Sequence, residues 1–402
     1  MPQPLAGAQA PSPDGPLVRI RALTAGVPLG SFSDAPAVES ALDALCRSKR
    51  RFEEAGYEVQ TLRVATPALV GAMSPRQRQS ALADVTHLDG IAAYRNAVLS
   101  IGPVLTLDRS DADLVPWAVD LATATSVTSF SVTVASLAGG SHRRAAAEAA
   151  RIIAALSRVA PDGRTNFRFA AAAAVPAGTP FFPVAYHEGS ASLAIGLESP
   201  RLVHDALTSE GGGFDGCVER LRVRFDAALA PIAALAESCA REEGRRYVGI
   251  DPSPAPGMDS SIGEAIEALT GTPFGGASTL EACASITGAL KQLNVLTCGY
   301  AGVMLPVLED PVLARRAAEG RFGLRDLLLF SSVCGTGLDV VPLPGDTPVE
   351  VLARIIADVS ALSVRLRKPL SARLFPIPGR RAGEAVSFDD PLLTTSVALP
   401  PE

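Results

Sequence analysis

Segments of strand character alternate with segments of helical character along almost the whole chain. Predicted strands cover 18–24, 57–65, 97–105, 126–135, 166–175, 190–197, 247–251, 339–342 and 371–376. Predicted helices cover 37–56, 77–94, 114–123, 141–159, 201–243, 261–269, 280–293, 311–319 and 347–366. Such alternation over 402 residues is typical of a mostly parallel sheet or an α/β barrel, in which functional loops follow the carboxyl ends of strands.

The pattern predicts one compact α/β domain over residues 18–382. A Pro/Gly/Ala-rich leader at 1–17 is expected to be disordered, and 383–402 is expected to form a C-terminal arm. The long helical stretch near 199–245 is interpreted as an insertion. Its uncharged apolar run, Ala227–Ala236, is either core or a self-association surface, and a homodimer is expected because symmetric dimers are the commonest oligomers.

The composition excludes several classes of partner. Hydrophobic residues make up 48% of the chain, charged residues 19% and aromatic residues 5%, which predicts a core of small aliphatic side chains. The net charge of -6 without a basic stripe argues against nucleic acid, and no apolar run is long enough to cross a membrane. No secretory signal is visible, and the six cysteines lack any CxxC spacing. We therefore expect a cytoplasmic protein that binds a small molecule.

The most unusual segment is SSVCGTGLDVVPLPGDT, residues 331–347. It places the thiol of Cys334 next to a tight glycine loop, and it contains two acids, Asp339 and Asp346. Backbone N–H groups of such a loop can hold an anion, which predicts a substrate-binding role for Gly335, Thr336 and Gly337. Burial is nevertheless the usual fate of a free cysteine, and Asp346 stands beside a helix N-terminus where an acid is favoured anyway. Both readings stay open for these two residues.

Two further segments carry candidate groups. In GIDPSPAPGMDSS, Asp251 ends a strand, whereas Asp259 precedes a helix start and is the weaker candidate. In PAGTPFFPVAYHEG, Tyr186 is a candidate substrate contact. His187 and Glu188 could serve as a general acid–base pair or, near two aspartates, help to hold a divalent cation. A lone histidine is more often structural. The set predicted to bind a divalent cation such as Mg²⁺, Mn²⁺ or Ca²⁺ is Asp251, Asp339 and Asp346.

Five segments together resemble a bacterial and archaeal family called domain of unknown function 711, often labelled PFL family protein. They are PAGTPFFPVAYH, SLAIGLE, GIDPSPAP, VMLPVLED and SSVCGTGLDVVPLPGDT, and the likeness spans about 24–380. The resemblance implies a fold like pyruvate formate-lyase: a ten-stranded α/β barrel with peripheral helices around a central loop. It implies that Cys334 lies at the tip of that loop. It does not imply a glycyl-radical reaction, since fold alone does not fix function.

Three hypotheses follow. The first is an enzyme of the hydrolase or lyase type, using acid–base or metal-assisted chemistry in a pocket at a barrel end. Its predicted catalytic residues are His187, Glu188, Cys334 and Asp339. The second is a binding or regulatory protein that senses a small molecule on an enzyme-like scaffold. The third, radical or thiol chemistry at Cys334, is the least favoured because no radical motif is present.

Overall fold

A ten-stranded sheet forms the centre of the computed structural model, which describes residues 15–209 and 212–401. Its strands are β1 (Arg19–Gly26), β2 (Leu62–Ala65), β3 (Ala97–Leu105), β4 (Thr128–Ser136), β5 (Gly140–Ser141), β6 (Phe169–Ala173), β7 (Ser192–Glu198), β8 (Arg246–Asp251), β9 (Gly337–Pro344) and β10 (Leu370–Ile377). A separate two-stranded sheet consists of β11 (Ala385–Val386) and β12 (Ser396–Val397).

Helices separate most of the strands. They are α1 (Ala35–Glu54), α2 (Pro75–Tyr94), α3 (Leu114–Ala124), α4 (Arg143–Leu156), α5 (Pro200–Thr208), α6 (Cys217–Glu242), α7 (Ile262–Thr270), α8 (Thr279–Leu290), α9 (Pro311–Ala318), α10 (Leu324–Ser331) and α11 (Val349–Leu366), with short 3₁₀ turns at Val70–Ala72 and Arg164–Arg168. None of the described helices is long and apolar enough to cross a membrane.

The sheet is mixed but largely parallel. Hydrogen-bonded neighbours follow the order β8–β7–β1–β2–β3–β4–β6–β10–β9, and β5 pairs with β4. The central strands β1, β2, β3, β4 and β6 are parallel to one another. β7 and β10 are antiparallel to the central strands that they join, and β8 and β9 run parallel to β7 and β10. The predicted α/β class is therefore confirmed.

The closed barrel expected from the resemblance is not found among the described residues, where the order ends at β8 on one side and at β9 on the other. The segment 297–306 lies between these two edges instead. Thr297 forms an isolated bridge with Ile250 of β8, and Pro306 forms one with Asp339 of β9. In the described ranges no ladder of hydrogen bonds joins β8 to β9, and each of these strands instead forms a single bridge to the segment 297–306.

The two faces of the sheet differ in chemistry. Leu62 and Val64 of β2, like Leu374 of β10, belong to the main apolar core with the helices. Successive side chains of a strand point to opposite faces, so Arg63 and Arg373 face away from those helices. The arginines therefore stand on the face of the sheet that loops cover.

The segment 176–187 lies across this second face. Thr24 Oγ1 donates to the carbonyl oxygen of Pro180 at 3.0 Å, and Ser100 Oγ donates to that of Ala185 at 2.7 Å. These bonds join the segment to β1 and β3. Backbone polar groups that would be costly to bury alone thus find partners in the sheet.

The remaining predicted segments are placed as follows. Most of the leader at 1–17 lies outside the described residues. The stretch predicted as an insertion supplies α5 and α6, which connect the neighbouring parallel strands β7 and β8. Within α6, Leu229, Ile232 and Ala236 are buried in the core. The C-terminal arm packs onto the sheet, because Leu393 and Ala398 share an apolar cluster with residues of β10.

Candidate functional site

A cavity of about 440 Å³ opens on the loop-covered side of the sheet. Its volume lies within the range of roughly 300–1,000 Å³ that small-molecule sites occupy. Charged residues from five strands and one loop meet there, among them Arg21, Arg63, Glu198, Glu309, Asp339 and Arg373. We call this space the arginine cavity.

Two carboxylates share one guanidinium in the arginine cavity. Arg373 Nη1 donates to Asp339 Oδ1 at 2.9 Å and to Glu309 Oε1 at 3.0 Å. Asp339 and Arg373 are each about 95% buried, so these charges interact with little screening by water. The guanidinium also lies over the ring of Phe167, with Cζ 4.7 Å from the ring centre. Packing and pairing thus hold Arg373 in one position.

Burial raises the pKa of the Asp339 carboxyl above its ordinary value, although the neighbouring Arg373 opposes the shift. The negative charge of Glu309 adds to the increase. A carboxyl group in this condition is suited to give or take a proton.

A second network closes one side of the arginine cavity. Glu198 accepts hydrogen bonds from Arg19 Nη1 at 2.7 Å, Gln60 Nε2 at 2.9 Å and Arg21 Nη1 at 3.2 Å. Arg19 also donates two hydrogen bonds to the carboxylate of Asp259 at the rim. The positive and negative charges of this network pair with one another, so we assign it a structural role at this side of the cavity.

Arg63 differs from the other arginines of the cavity. Its side chain makes no ion pair with a carboxylate anywhere in the described ranges, and its Nε has no hydrogen-bond partner there. Nη1 donates to the carbonyl oxygen of Pro180 at 3.2 Å, and the guanidinium stands over Phe182 with Cζ 5.8 Å from the ring centre. Burial, with the positive charges of Arg21 and Arg373, lowers the pKa of Arg63 to about 9. The group therefore remains a cation at neutral pH.

Apolar side chains form the rest of the lining. Phe181, Ala255 and Met304 line the cavity and belong to a small buried cluster beside it. Met258 and Leu392 also line it, yet about 40% of each is exposed, which places them at the mouth. The cavity thus has a charged floor and an apolar wall.

Asp251, one of the predicted metal ligands, is fully buried and is used by the protein itself. Its oxygens accept hydrogen bonds from Ser253 Oγ at 2.6 Å, from Ser253 N and Ala301 N at 3.1 Å, and from Tyr300 N at 2.7 Å. Burial nevertheless raises its pKa. These bonds hold the segment 297–306 against β8. The same segment packs through Gly302 against the loop that precedes β9, where an added Cβ would lie 2.6 Å from the Cα atom of Gly335.

The described residues do not bring the predicted cation ligands together. Asp346 is exposed, Asp251 is enclosed by N–H and O–H donors, and Asp339 is paired with Arg373. Across the described ranges, no three His, Cys, Asp or Glu side chains are arranged so that they could hold a metal ion. The geometry therefore does not fit the predicted divalent-metal site.

The predicted acid–base pair also lies apart from the arginine cavity. His187 is buried, with Nε2 3.0 Å from the carbonyl oxygen of Gly189 and Nδ1 3.3 Å from Ser192 Oγ, and burial lowers its pKa. Glu188 is exposed. Tyr186 lines a different cavity of about 300 Å³, and its hydroxyl donates to the carbonyl oxygen of Val175. Of the residues predicted to be catalytic, only Asp339 lines the arginine cavity.

The predicted anion-binding loop is part of the core packing. Cys334 has no exposed surface and belongs to the main apolar core. The N–H group of Gly335 donates to the carbonyl oxygen of Val303 at 2.8 Å, and Thr336 is buried. Gly337 begins β9 with φ +92°, and an added Cβ would lie 2.5 Å from the carbonyl oxygen of Ser371. Gly335 thus supports the segment 297–306, Gly337 packs against β10, and none of these four residues lines the arginine cavity.

Sequence reasoning missed most of the charged floor of the cavity. The signal was present, because Arg21, Arg63 and Arg373 each interrupt an apolar strand in the sequences RIRALTAG, LRVA and LSARLFPI. A charge inside such a strand indicates that one face of the sheet is polar. Glu309 follows a short loop in VMLPVLED and gave no comparable signal.

Comparison with known proteins gives a family and no activity. The profile of the family described as Uncharacterised ACR (DUF711) matches residues 17–389. A UPF0210 protein of Pyrobaculum arsenaticum is 30% identical over 347 residues, which cover 82% of this chain and 76% of the relative. One of Pyrobaculum islandicum is 30% identical over 377 residues, covering 87% and 81%. One of Desulforudis audaxviator is 29% identical over 360 residues, covering 83% and 78%.

Proposed function

The chain belongs to the DUF711 family, and we propose that it is an enzyme that performs acid–base chemistry of the hydrolase or lyase type on a small molecule in the arginine cavity. One observation carries the proposal: Asp339 and Glu309 share Arg373 Nη1 inside a cavity large enough for a metabolite. Clustered, partly dry acids of this kind are typical of sites that transfer protons.

Asp339 is the proton-transferring group in this proposal. The raised pKa of its carboxyl brings its protonation equilibrium closer to neutral pH, where proton transfer in both directions is efficient. The carboxylate accepts a proton from the substrate or from an attacking water and returns it to the leaving group. Arg373 balances the negative charge while the proton is away, and Glu309 keeps the guanidinium in place.

A divalent cation and a reactive thiol are not part of the mechanism. Of the three aspartates predicted to bind the cation, only Asp339 lines the cavity, and the Cys334 side chain is enclosed by the core. The pyruvate formate-lyase likeness enters only as architecture. We propose that the sheet is a barrel of that type, interrupted between β8 and β9. The bridges of the segment 297–306 to both edge strands support this reading.

A binding or regulatory protein is the second candidate. Asp339 and Glu309 are already engaged by Arg373, and a cavity with internally paired charges also suits recognition without turnover. The two functions differ in one measurable respect. An enzyme consumes the compound that it binds, whereas a sensor leaves that compound unchanged.

The test is a conversion assay on the purified full-length chain with a defined mixture of small metabolites, followed by mass spectrometry. We expect one compound to disappear with the wild-type protein and to persist with Asp339→Asn. Glu188→Gln, which changes an exposed acid, should convert it like the wild type. Heavy-oxygen water separates the two reaction types, because hydrolysis places solvent oxygen in the product and elimination does not.

Conversion at the wild-type rate by Asp339→Asn would contradict the assignment of the proton-transferring group. A compound that raises the melting temperature saturably and is never consumed would favour the sensor, since a ligand that binds only the folded state stabilises it.

A further inference from the structure

We infer that Arg63 recognises the carboxylate group of a small monocarboxylate that occupies the arginine cavity. The inference rests on the proposed function and names the substrate class of the same site. Arg63 is about 92% buried and lines the cavity, yet no carboxylate of the described residues pairs with it. Of its five N–H donors, one makes a hydrogen bond to the described part of the chain, from Nη1 to the carbonyl oxygen of Pro180.

We expect that folding does not need this unpaired charge. Burying an unpaired cation costs free energy, and a neutral side chain of similar size would avoid that cost. The carbonyl oxygen of Pro180 does not depend on Arg63, because Thr24 Oγ1 also donates to it at 3.0 Å. An anion that enters the cavity would form the ion pair with Arg63 that no described carboxylate forms.

The surroundings of Arg63 favour a carboxylate over a phosphate. Its guanidinium is the one cation lining the cavity that the described carboxylates leave unpaired, since Arg21 and Arg373 both pair with Glu309. A single planar guanidinium matches the two oxygens of a carboxylate. A phosphate with two negative charges would lie near the acids Glu309 and Asp339 with only one free cation to offset it.

The apolar side chains that line the cavity favour a ligand whose body, beyond its carboxylate group, is apolar. Phe181 and Met304 are buried beside the cavity, and Phe182 lies under the Arg63 guanidinium. Asp339 lines the same cavity as Arg63. A carboxylic acid with a short apolar or aromatic body therefore has a partner for its charged end, contacts for its body and a proton-transferring group within the same space.

The test measures binding and does not need turnover. Acetate, pyruvate and benzoate are titrated into the full-length protein by thermal shift and isothermal calorimetry, beside acetamide, benzamide and inorganic phosphate. We expect at least one carboxylate to bind saturably and its neutral amide not to bind. Arg63→Met should weaken carboxylate binding about tenfold or more, the usual consequence of losing a charge-assisted hydrogen bond. Arg63→Lys should keep part of the affinity.

Arg95→Met is the matched control, because it removes a half-exposed arginine that pairs with Asp43 on the surface. It should bind the carboxylate like the wild type. Circular dichroism before each titration shows whether Arg63→Met is folded, and Arg63→Lys provides a second comparison if it is not. Equal binding by the wild type and both Arg63 variants, tighter binding of phosphate, or no saturable response to any carboxylate would each overturn the inference.

Failure of this inference and failure of the enzyme proposal give different results. If carboxylates bind through Arg63 and no metabolite is converted, the enzyme proposal fails and the recognition stands. If conversion depends on Asp339 but Arg63→Met retains the wild-type KM, the recognition fails and the enzyme proposal stands.

Discussion

Asp251 and Arg63 are both buried charges at the sheet, and they differ in how far the protein satisfies them. Asp251 accepts hydrogen bonds from Ser253, Tyr300 and Ala301, so its oxygens are occupied. Arg63 donates one hydrogen bond and has no ion pair with the described carboxylates. The comparison separates a charge that organises the backbone from a charge that remains available to a ligand. Burial alone does not distinguish the two.

The largest expected effect is a loss of stability when Asp251 is replaced. Asp251→Ala removes the acceptor for three backbone N–H groups and one hydroxyl. The free energy of unfolding should therefore fall by about 3–5 kcal/mol, as for other broken networks of buried polar groups. Urea denaturation followed by circular dichroism measures it. Asp346→Ala, at an exposed strand-end aspartate, is the control and should stay within about 0.5 kcal/mol of the wild type. A stable Asp251→Ala variant would show that the segment 297–306 does not need this anchor.

Arg63→Met should not lower the free energy of unfolding, in contrast to Asp251→Ala. Replacing a buried unpaired charge by an apolar side chain of similar size is often neutral or stabilising, so the free energy of unfolding without ligand should be unchanged or higher by about 1 kcal/mol. The same urea denaturation detects it. A loss of several kcal/mol would show that Arg63 is structural, and the contrast with Asp251 would disappear.

The smallest expected effect is a pH dependence at Asp339. Its pKa is raised in the folded protein, so the folded state holds a proton that the unfolded chain releases near pH 4. As the pH rises from about 4 through the raised pKa, the wild type should lose stability relative to Asp339→Asn, which has no proton to release. Denaturation of both proteins over this pH range measures the difference. A difference that is constant or of opposite sign would contradict the raised pKa.

The fold class was predictable because the alternation of strands and helices is a local property of the sequence. The positions of β1, β3 and β4, among others, follow from short apolar stretches, and all five central strands follow one another in chain order. The resemblance implied a closed barrel, and it could not tell that the sheet lacks closure, because closure depends on how β8 and β9 meet the segment 297–306. That contact joins distant parts of the chain.

The candidate site was only partly predictable for the same reason. Asp251 and Asp339 both stood out as acids on strands. Nothing in the sequence told which of the two carboxylates would accept hydrogen bonds from the protein's own N–H and O–H groups. Arg373 meets Asp339 across 34 residues and Glu309 across 64, and Arg21 meets Glu309 across 288. Such pairs form only when the sheet is complete. The arginines inside apolar strands were the available signal, and they indicate a charged face without naming their partners.

The strand order has a consequence for how the chain is made. The five central parallel strands, β1, β2, β3, β4 and β6, are complete once residues 19–173 have been synthesised, and they pair as neighbours in the order of their synthesis. Their two outer members, β1 and β6, wait for β7 and β10 from the second half of the chain. A nascent half-sheet therefore carries two open edges, the kind of surface on which partly made proteins aggregate. Its protection on the ribosome depends on how soon the remainder of the chain arrives.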